Sequence, residues 1–168
     1  MQAYILQSVL VMLGAPLLGA LVSGIGCHYL GRRTAHVVTI SLMTVSLLAA
    51  LFLFKLAVFQ HETLDTVLYT WAKSGRFNFS VGFLIDSLSA VMITVVTFVS
   101  LLVHIYSVGY MHDDASNPRF FSYVSLFTFS MLLLVTANNF FLLFLGWEGV
   151  GLVSYLLIGF WFHKESAA

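Results

Sequence analysis

Glu148 stands within Gly146-Trp147-Glu148-Gly149-Val150-Gly151 and is the only formally charged residue between Phe120 and Phe162. A lone carboxyl in so apolar a run suits one kind of chemistry, the uptake and release of a proton away from bulk water. An ionisable group at the centre of a bilayer costs about 2.5–3.5 kcal/mol on insertion scales, so it calls for a cationic partner, a water-filled cavity or a shifted pKa. Intramembrane acids commonly line ion and proton pathways, which makes Glu148 the leading candidate for proton translocation. The competing reading is a carboxyl that stays protonated and only hydrogen-bonds a neighbouring helix. Gly146, Gly149 and Gly151 remove side-chain bulk beside it, so that a second helix or water can come close.

Two further groups are candidates. His104 has a side chain whose ordinary pKa suits a proton relay near neutrality, with a satisfied packing histidine as the bland alternative. Asp86 opens a long apolar run, where a helix dipole favours negative charge, and that is a sufficient structural reason for it; a transport role is the alternative. Asp113 and Asp114 read as a solvated loop pair. There is no Gly-rich phosphate loop, no paired-histidine zinc spacing and no nucleophile elbow, so the sequence points to no bound metal or cofactor in this chain.

The composition says where these groups sit. Of 168 residues, 60% are hydrophobic and 8% charged, against about 25% charged in soluble domains, which marks an integral membrane protein. Seven basic and seven acidic side chains balance, leaving no basic patch for nucleic acid; the bilayer is the expected partner. Cys27 is the only cysteine, so no disulfide framework is available.

Hydropathy and punctuation divide the chain into helices at about 4–30, 35–59, 84–110, 120–137 and 140–162, in one membrane domain covering 1–168. A single helix from Phe120 to Phe162 would reach roughly 64 Å, more than twice the hydrocarbon thickness, so Asn138-Asn139 is the expected turn. The first run begins Met1-Gln2-Ala3-Tyr4 without a basic n-region and reads as a retained span. Within it, Gly19/Ser23 and Ala20/Gly24 have the small-xxx-small spacing of close helix packing. Lys55 lies one turn from the end of the second helix and can snorkel to the headgroups. Residues 60–83 alternate in a two-residue period on either side of Lys73-Ser74-Gly75-Arg76, which predicts an aromatic-rich β-hairpin at the membrane surface. The expected fold is therefore an all-α polytopic membrane protein of about five transmembrane helices, with a short extracytoplasmic β-hairpin between the second and third. Arg32, Arg33, Arg119 and Lys164 fall on one side and Lys55, Lys73 and Arg76 on the other. The positive-inside rule then puts the N-terminus outside and the Ala168 end in the cytoplasm. The lack of a targeting peptide favours a bacterial inner membrane.

The run from Gly146 through Gly149-Val150-Gly151-Leu152-Val153-Ser154-Tyr155 to Trp161 resembles the L-type, antiporter-like subunits of respiratory complex I, the proton-translocating NADH:quinone oxidoreductase. The similarity extends through Val103-His104-Ile105-Tyr106-Ser107-Val108-Gly109-Tyr110-Met111, Arg119-Phe120-Phe121 and Gly82-Phe83-Leu84-Ile85-Asp86-Ser87-Leu88-Ser89. It covers roughly the last half of the chain strongly and the first eighty residues by layout. The resemblance implies three leading helices followed by two inverted five-helix repeats, so that the first three helices here are the leading set and the next two open the first repeat. It further implies that the glutamate at the position of Glu148 pairs with a lysine on a later helix and gates proton passage. That lysine is not in this sequence, which makes the chain the N-terminal part of a longer subunit. NADH, FMN, iron–sulfur clusters and quinone are expected in other subunits of such a complex, and the implied partners are other membrane subunits, above all a neighbouring antiporter-like one. The large subunit of a multisubunit sodium/proton antiporter shares the Gly-Trp-Glu motif and is the second reading; a purely structural membrane chain is the third.

Overall fold

The computed structural model describes residues 2–26, 31–75, 77–114 and 116–162. Cys27, Leu30, Arg76 and Lys164 lie outside the described residues. Five helices are long and apolar enough to cross a membrane, and a two-stranded antiparallel hairpin separates the second from the third.

The first helix, α1 (Gln2–Ile25), is uncharged and carries Pro16 in its interior. Proline has no N–H, so the carbonyl of Met12 loses its helical donor. Inside a bilayer an orphaned carbonyl is costly because no water can replace the bond. Ser46 on α2 (Arg32–Phe54) donates its hydroxyl to Met12 O at 2.7 Å, and both residues are fully buried. The small residues of α1 do pack closely. Ser122 on α4 (Asn117–Val135) donates to Ala20 O at 2.7 Å, and a Cβ on Gly24 would lie 2.6 Å from the Ser122 hydroxyl, leaving room for glycine alone. Helix α2 runs on into a π-helical turn, Lys55–Phe59, where Lys55 is exposed as snorkelling requires.

The hairpin begins and ends later than the sequence reading of 60–83. Its strands β1 (Leu64–Ser74) and β2 (Phe77–Ile85) pair from Leu64↔Ile85 to Ser74↔Phe77, with Gly75 at φ 58° in the turn. The sequence reading starts the third helix at 84, yet Leu84 and Ile85 belong to β2 and α3 spans Ser87–Tyr110. The reason is tertiary: Leu84 N–H donates to Thr136 O at 2.9 Å and Phe83 bridges Ala137, so β2 is pinned to the end of α4. A free hairpin is marginal in water; this one is held by Phe79 and Trp71 against Phe141, at ring separations of 5.3 and 5.9 Å.

Helix α4 begins ahead of the expected 120, with Pro118 in its first turn, where a missing N–H costs nothing. The turn then falls at Asn138-Asn139, and α5 (Phe140–Ile158) continues as a 3₁₀ turn through Trp161. Helix α1 packs on α2 and α4, α2 on α3, and α5 lies at the edge against α4. Opposite the hairpin, Arg32 Nη1 donates to His112 O at 3.0 Å and Trp161 Nε1 to Asp114 Oδ2 at 2.8 Å, tying the α3–α4 loop to α2 and α5.

The Pro16–Ser46 arrangement has a testable consequence. Ser46→Ala should destabilise the full-length subunit by on the order of 1 kcal/mol, since Met12 O loses its donor. Adding Pro16→Ala should recover much of that loss, because the new N–H can donate to the same carbonyl. Denaturant unfolding in detergent of the two single variants and the double variant checks this.

Candidate functional site

Two features at its start orient α5. Asn139 caps the helix, its side-chain oxygen accepting from Leu142 N–H at 3.0 Å, and its amide nitrogen donates to Ser80 O of β2 at 2.9 Å. Asn138 donates to Asp65 of β1 at 3.0 Å, so the hairpin holds the helix turn by side chains as well as backbone. One stripe of α5 then packs on α4. Leu142, Gly146 and Val153 on it are buried; a Cβ on Gly146 would sit 2.7 Å from Leu134 N, and one on Gly149 2.7 Å from Ser130 Oγ. Two of the three flanking glycines thus permit close approach, whereas Gly151 has nothing within 4 Å.

Glu148 lies off that stripe. It is exposed on the outer face of α5 among Phe144, Trp147, Leu152 and Tyr155, which are exposed too. Among the described residues no hydrogen bond or ion pair reaches its carboxylate. It sits roughly 12 Å along the axis from Phe140, close to half the hydrocarbon thickness. A carboxylate at that depth on an apolar face cannot rest against lipid without a large cost, so the position calls for a partner, water or protonation.

His104 has the opposite environment. It is fully buried on a polar stripe of α3 with Thr97, Ser100 and Ser107, and α4 presents Ser125 and Thr128 to it. The hydrogen bonds assign its neutral tautomer. Nδ1 lies 2.8 Å from Ser100 O, which only accepts, so Nδ1 carries the proton; Nε2 then accepts from Ser125 Oγ at 3.0 Å. Beyond it, Ser100 Oγ and Thr128 Oγ1 are 2.5 Å apart, and Thr128 donates to Val124 O, so Ser100 donates to Thr128.

Asp86 is the N-cap of α3. Its carboxylate accepts from Ser89 N–H at 2.7 Å, and Ser89 Oγ accepts from Asp86 N–H at 2.8 Å, a reciprocal capping box. The Ser89 backbone bond is the main reason its pKa lies below the ordinary carboxylate value, against opposing desolvation. None of the hydrogen bonds of His104 or Asp86 reaches Glu148, so the structure does not gather the three candidates into one constellation. The residues the sequence reading missed are the hydroxyls around His104. Their signal was present as Thr97, Ser100, His104 and Ser107, spaced for a single helix face.

Five helices able to span a membrane, one of them carrying an exposed acid near its middle, make this a polytopic membrane protein with an ionisable group inside a span. Comparison with known proteins is specific. Residues 71–121 match the family model for the N-terminus of NADH-ubiquinone oxidoreductase (complex I) chain 5, and residues 137–168 the transmembrane model shared by NADH:quinone oxidoreductase and Mrp antiporters. NADH-quinone oxidoreductase subunit L of Neisseria meningitidis is 52% identical over 160 residues, covering 94% of this chain and 24% of that protein. NADH-ubiquinone oxidoreductase chain 5 of Chondrus crispus is 49% identical and that of Arabidopsis thaliana 46%, each over 158 residues, with the same coverage. The chain belongs to the subunit L/chain 5 family of NADH:quinone oxidoreductase and spans about a quarter of the length of these curated relatives.

The cap is testable by pH. A carboxyl whose pKa is lowered on folding contributes stability above its unfolded value, near 3.9, and loses it as pH falls through the folded value. Asp86→Ala should therefore cost about 1 kcal/mol near neutrality, and the gap from the parent subunit should narrow as the pH falls below the unfolded value and through the lower folded one. Unfolding midpoints of both proteins across pH 2–7 give the check.

Proposed function

We propose that this chain is the N-terminal part of a proton-translocating membrane subunit of NADH:quinone oxidoreductase, in which Glu148 is the acid that takes and releases the transported proton. The observation that carries this is the unpartnered carboxylate at mid-membrane on the outer face of α5, in a chain whose relatives bear that enzyme's name. A cation from the remainder of the subunit, opposite this face, would lower the acid's pKa; its withdrawal would let the acid bind a proton. Charge state and pairing then switch together. His104, with a proton on Nδ1 and an acceptor at Nε2, is proposed as a relay, and Asp86 as a residue that positions α3.

In this reading NADH, FMN, iron–sulfur clusters and quinone are held by other subunits, and the partners are further membrane subunits, including a neighbouring antiporter-like one. The proposed location is a bacterial inner membrane with the N-terminus and hairpin outside. Arg32, Arg33 and Arg119 at one end against Lys55 and Lys73 at the hairpin end support that orientation. The sodium/proton antiporter reading draws on the shared transmembrane model, but relatives named as NADH oxidoreductases at about half identity favour complex I.

Glu148→Gln in the complete assembly should cut proton translocation sharply while NADH oxidation partly persists. Measuring protons moved per NADH oxidised in sealed vesicles decides it; an unchanged ratio would remove Glu148 from the mechanism.

A further inference from the structure

His104 is fully buried, yet a second imidazole lies nearby on the surface side. His36 on α2 is partly exposed, roughly 6 Å in from Arg32 at the helix start. Its Nε2 is 2.5 Å from Asn117 Oδ1, while Asn117 Nδ2 donates to Met111 O at 2.7 Å. That second bond fixes the amide orientation, so His36 Nε2 is the donor and its Nδ1 is left to accept a proton. Between the two imidazoles stands Phe121, fully buried, its ring centroid 4.5 Å from that of His36 and 5.8 Å from that of His104. On the inner side of His104 the Ser100–Thr128 pair supplies the polar lining of an otherwise apolar groove of about 390 Å³ between α3 and α4. Ser100 lies roughly 15 Å in from Tyr110, at half the hydrocarbon thickness.

We propose that His36, Phe121 and His104 form a gated proton relay running from the Arg32 end of the bundle to the Ser100–Thr128 hydroxyl pair in mid-membrane. It rests on the reading of this chain as a proton-translocating subunit and is separate from Glu148. With Phe121 in place no hydrogen bond links the imidazoles, because a benzene ring neither holds nor passes a proton. When that ring turns aside, water can bridge from His36 to Ser125. Ser125 then gives its hydroxyl proton to His104 Nε2 and takes one from the bridging water. His104 gives up its Nδ1 proton to Ser100 Oγ, 3.4 Å away, and Ser100 passes its own to Thr128. His36 takes a proton at Nδ1 and releases it to the bridging water, and Thr128 passes its hydroxyl proton to water entering the groove between α3 and α4, so each group receives one proton and releases one and the chain carries one net proton inward. A dry aromatic constriction of this sort gates by excluding water.

The test uses the full complex in sealed membrane vesicles, with proton translocation normalised to the amount of assembled complex that contains this subunit. His36→Gln and His104→Gln should each slow translocation, by up to the roughly 10²–10⁴-fold that a positioned acid–base group contributes. The double variant should be no slower than the slower single, because both act on one path. Phe121→Ala should raise the passive proton conductance of the vesicles. Glu148→Gln, run alongside, separates the two ideas. If it abolishes translocation while the histidine variants leave the normalised rate unchanged, the relay is wrong and the role of Glu148 stands. Additive losses in the double variant, or no rise in leak with Phe121→Ala, also overturn the relay. Should His104→Gln fail to assemble, His36→Gln and Phe121→Ala still decide the matter.

Discussion

In a hydrocarbon solvent every polar group must find its partner within the protein, and this chain meets that demand group by group. Pro16 strips a donor from Met12 O and Ser46 on the next helix replaces it. Ser122 hydrogen-bonds the Ala20 carbonyl, which brings α4 against Gly24. His104 has both ring nitrogens engaged. These bonds run between helices, so satisfying the polar atoms and choosing the helix neighbours are one process. Against that background Glu148 stands out, a carboxylate at mid-depth with no partner among the described residues. Its exposed face belongs to a chain that spans about a quarter of the length of its curated relatives.

Helix α5 is positioned from two directions. Gly146 and Gly149 let its backbone sink onto Leu134 and Ser130 of α4, which sets the helix rotation and turns Glu148 away from the bundle. The hairpin holds the other coordinate: β2 is hydrogen-bonded to Thr136, and Asn138 and Asn139 reach back to Asp65 and Ser80. Asp86, at the junction of hairpin and α3, caps the helix whose opposite end bears His104. The hairpin is thus a rigid strap across one end of the bundle, and the placement of the acid depends on it as much as on membrane packing.

Glu148 and His104 handle charge in different ways. The acid stands exposed on the outer face of α5. The histidine is enclosed, its tautomer set by a carbonyl, and its connection to the surface is interrupted by Phe121. In the proposed relay this interruption matters, because a proton path that is continuous at rest would leak.

Much was legible in the sequence because bilayer thickness is a strict ruler. Long uncharged runs can only be spans, an Asn pair inside an overlong run can only be the turn, and a lone glutamate stands out because nothing else there is charged. Strand alternation around Lys73-Ser74-Gly75-Arg76 likewise exposed the hairpin. Side-chain identity decides these features locally, without reference to neighbours. Only the tertiary structure showed that Leu84 and Ile85 are strand, since that depends on a hydrogen bond to Thr136, distant in the chain. It alone turned Glu148 outward, joined His104 to Ser125, and set Phe121 between two imidazoles. Those outcomes depend on helix rotation and on which helices touch, quantities fixed by packing between distant segments that no local pattern encodes.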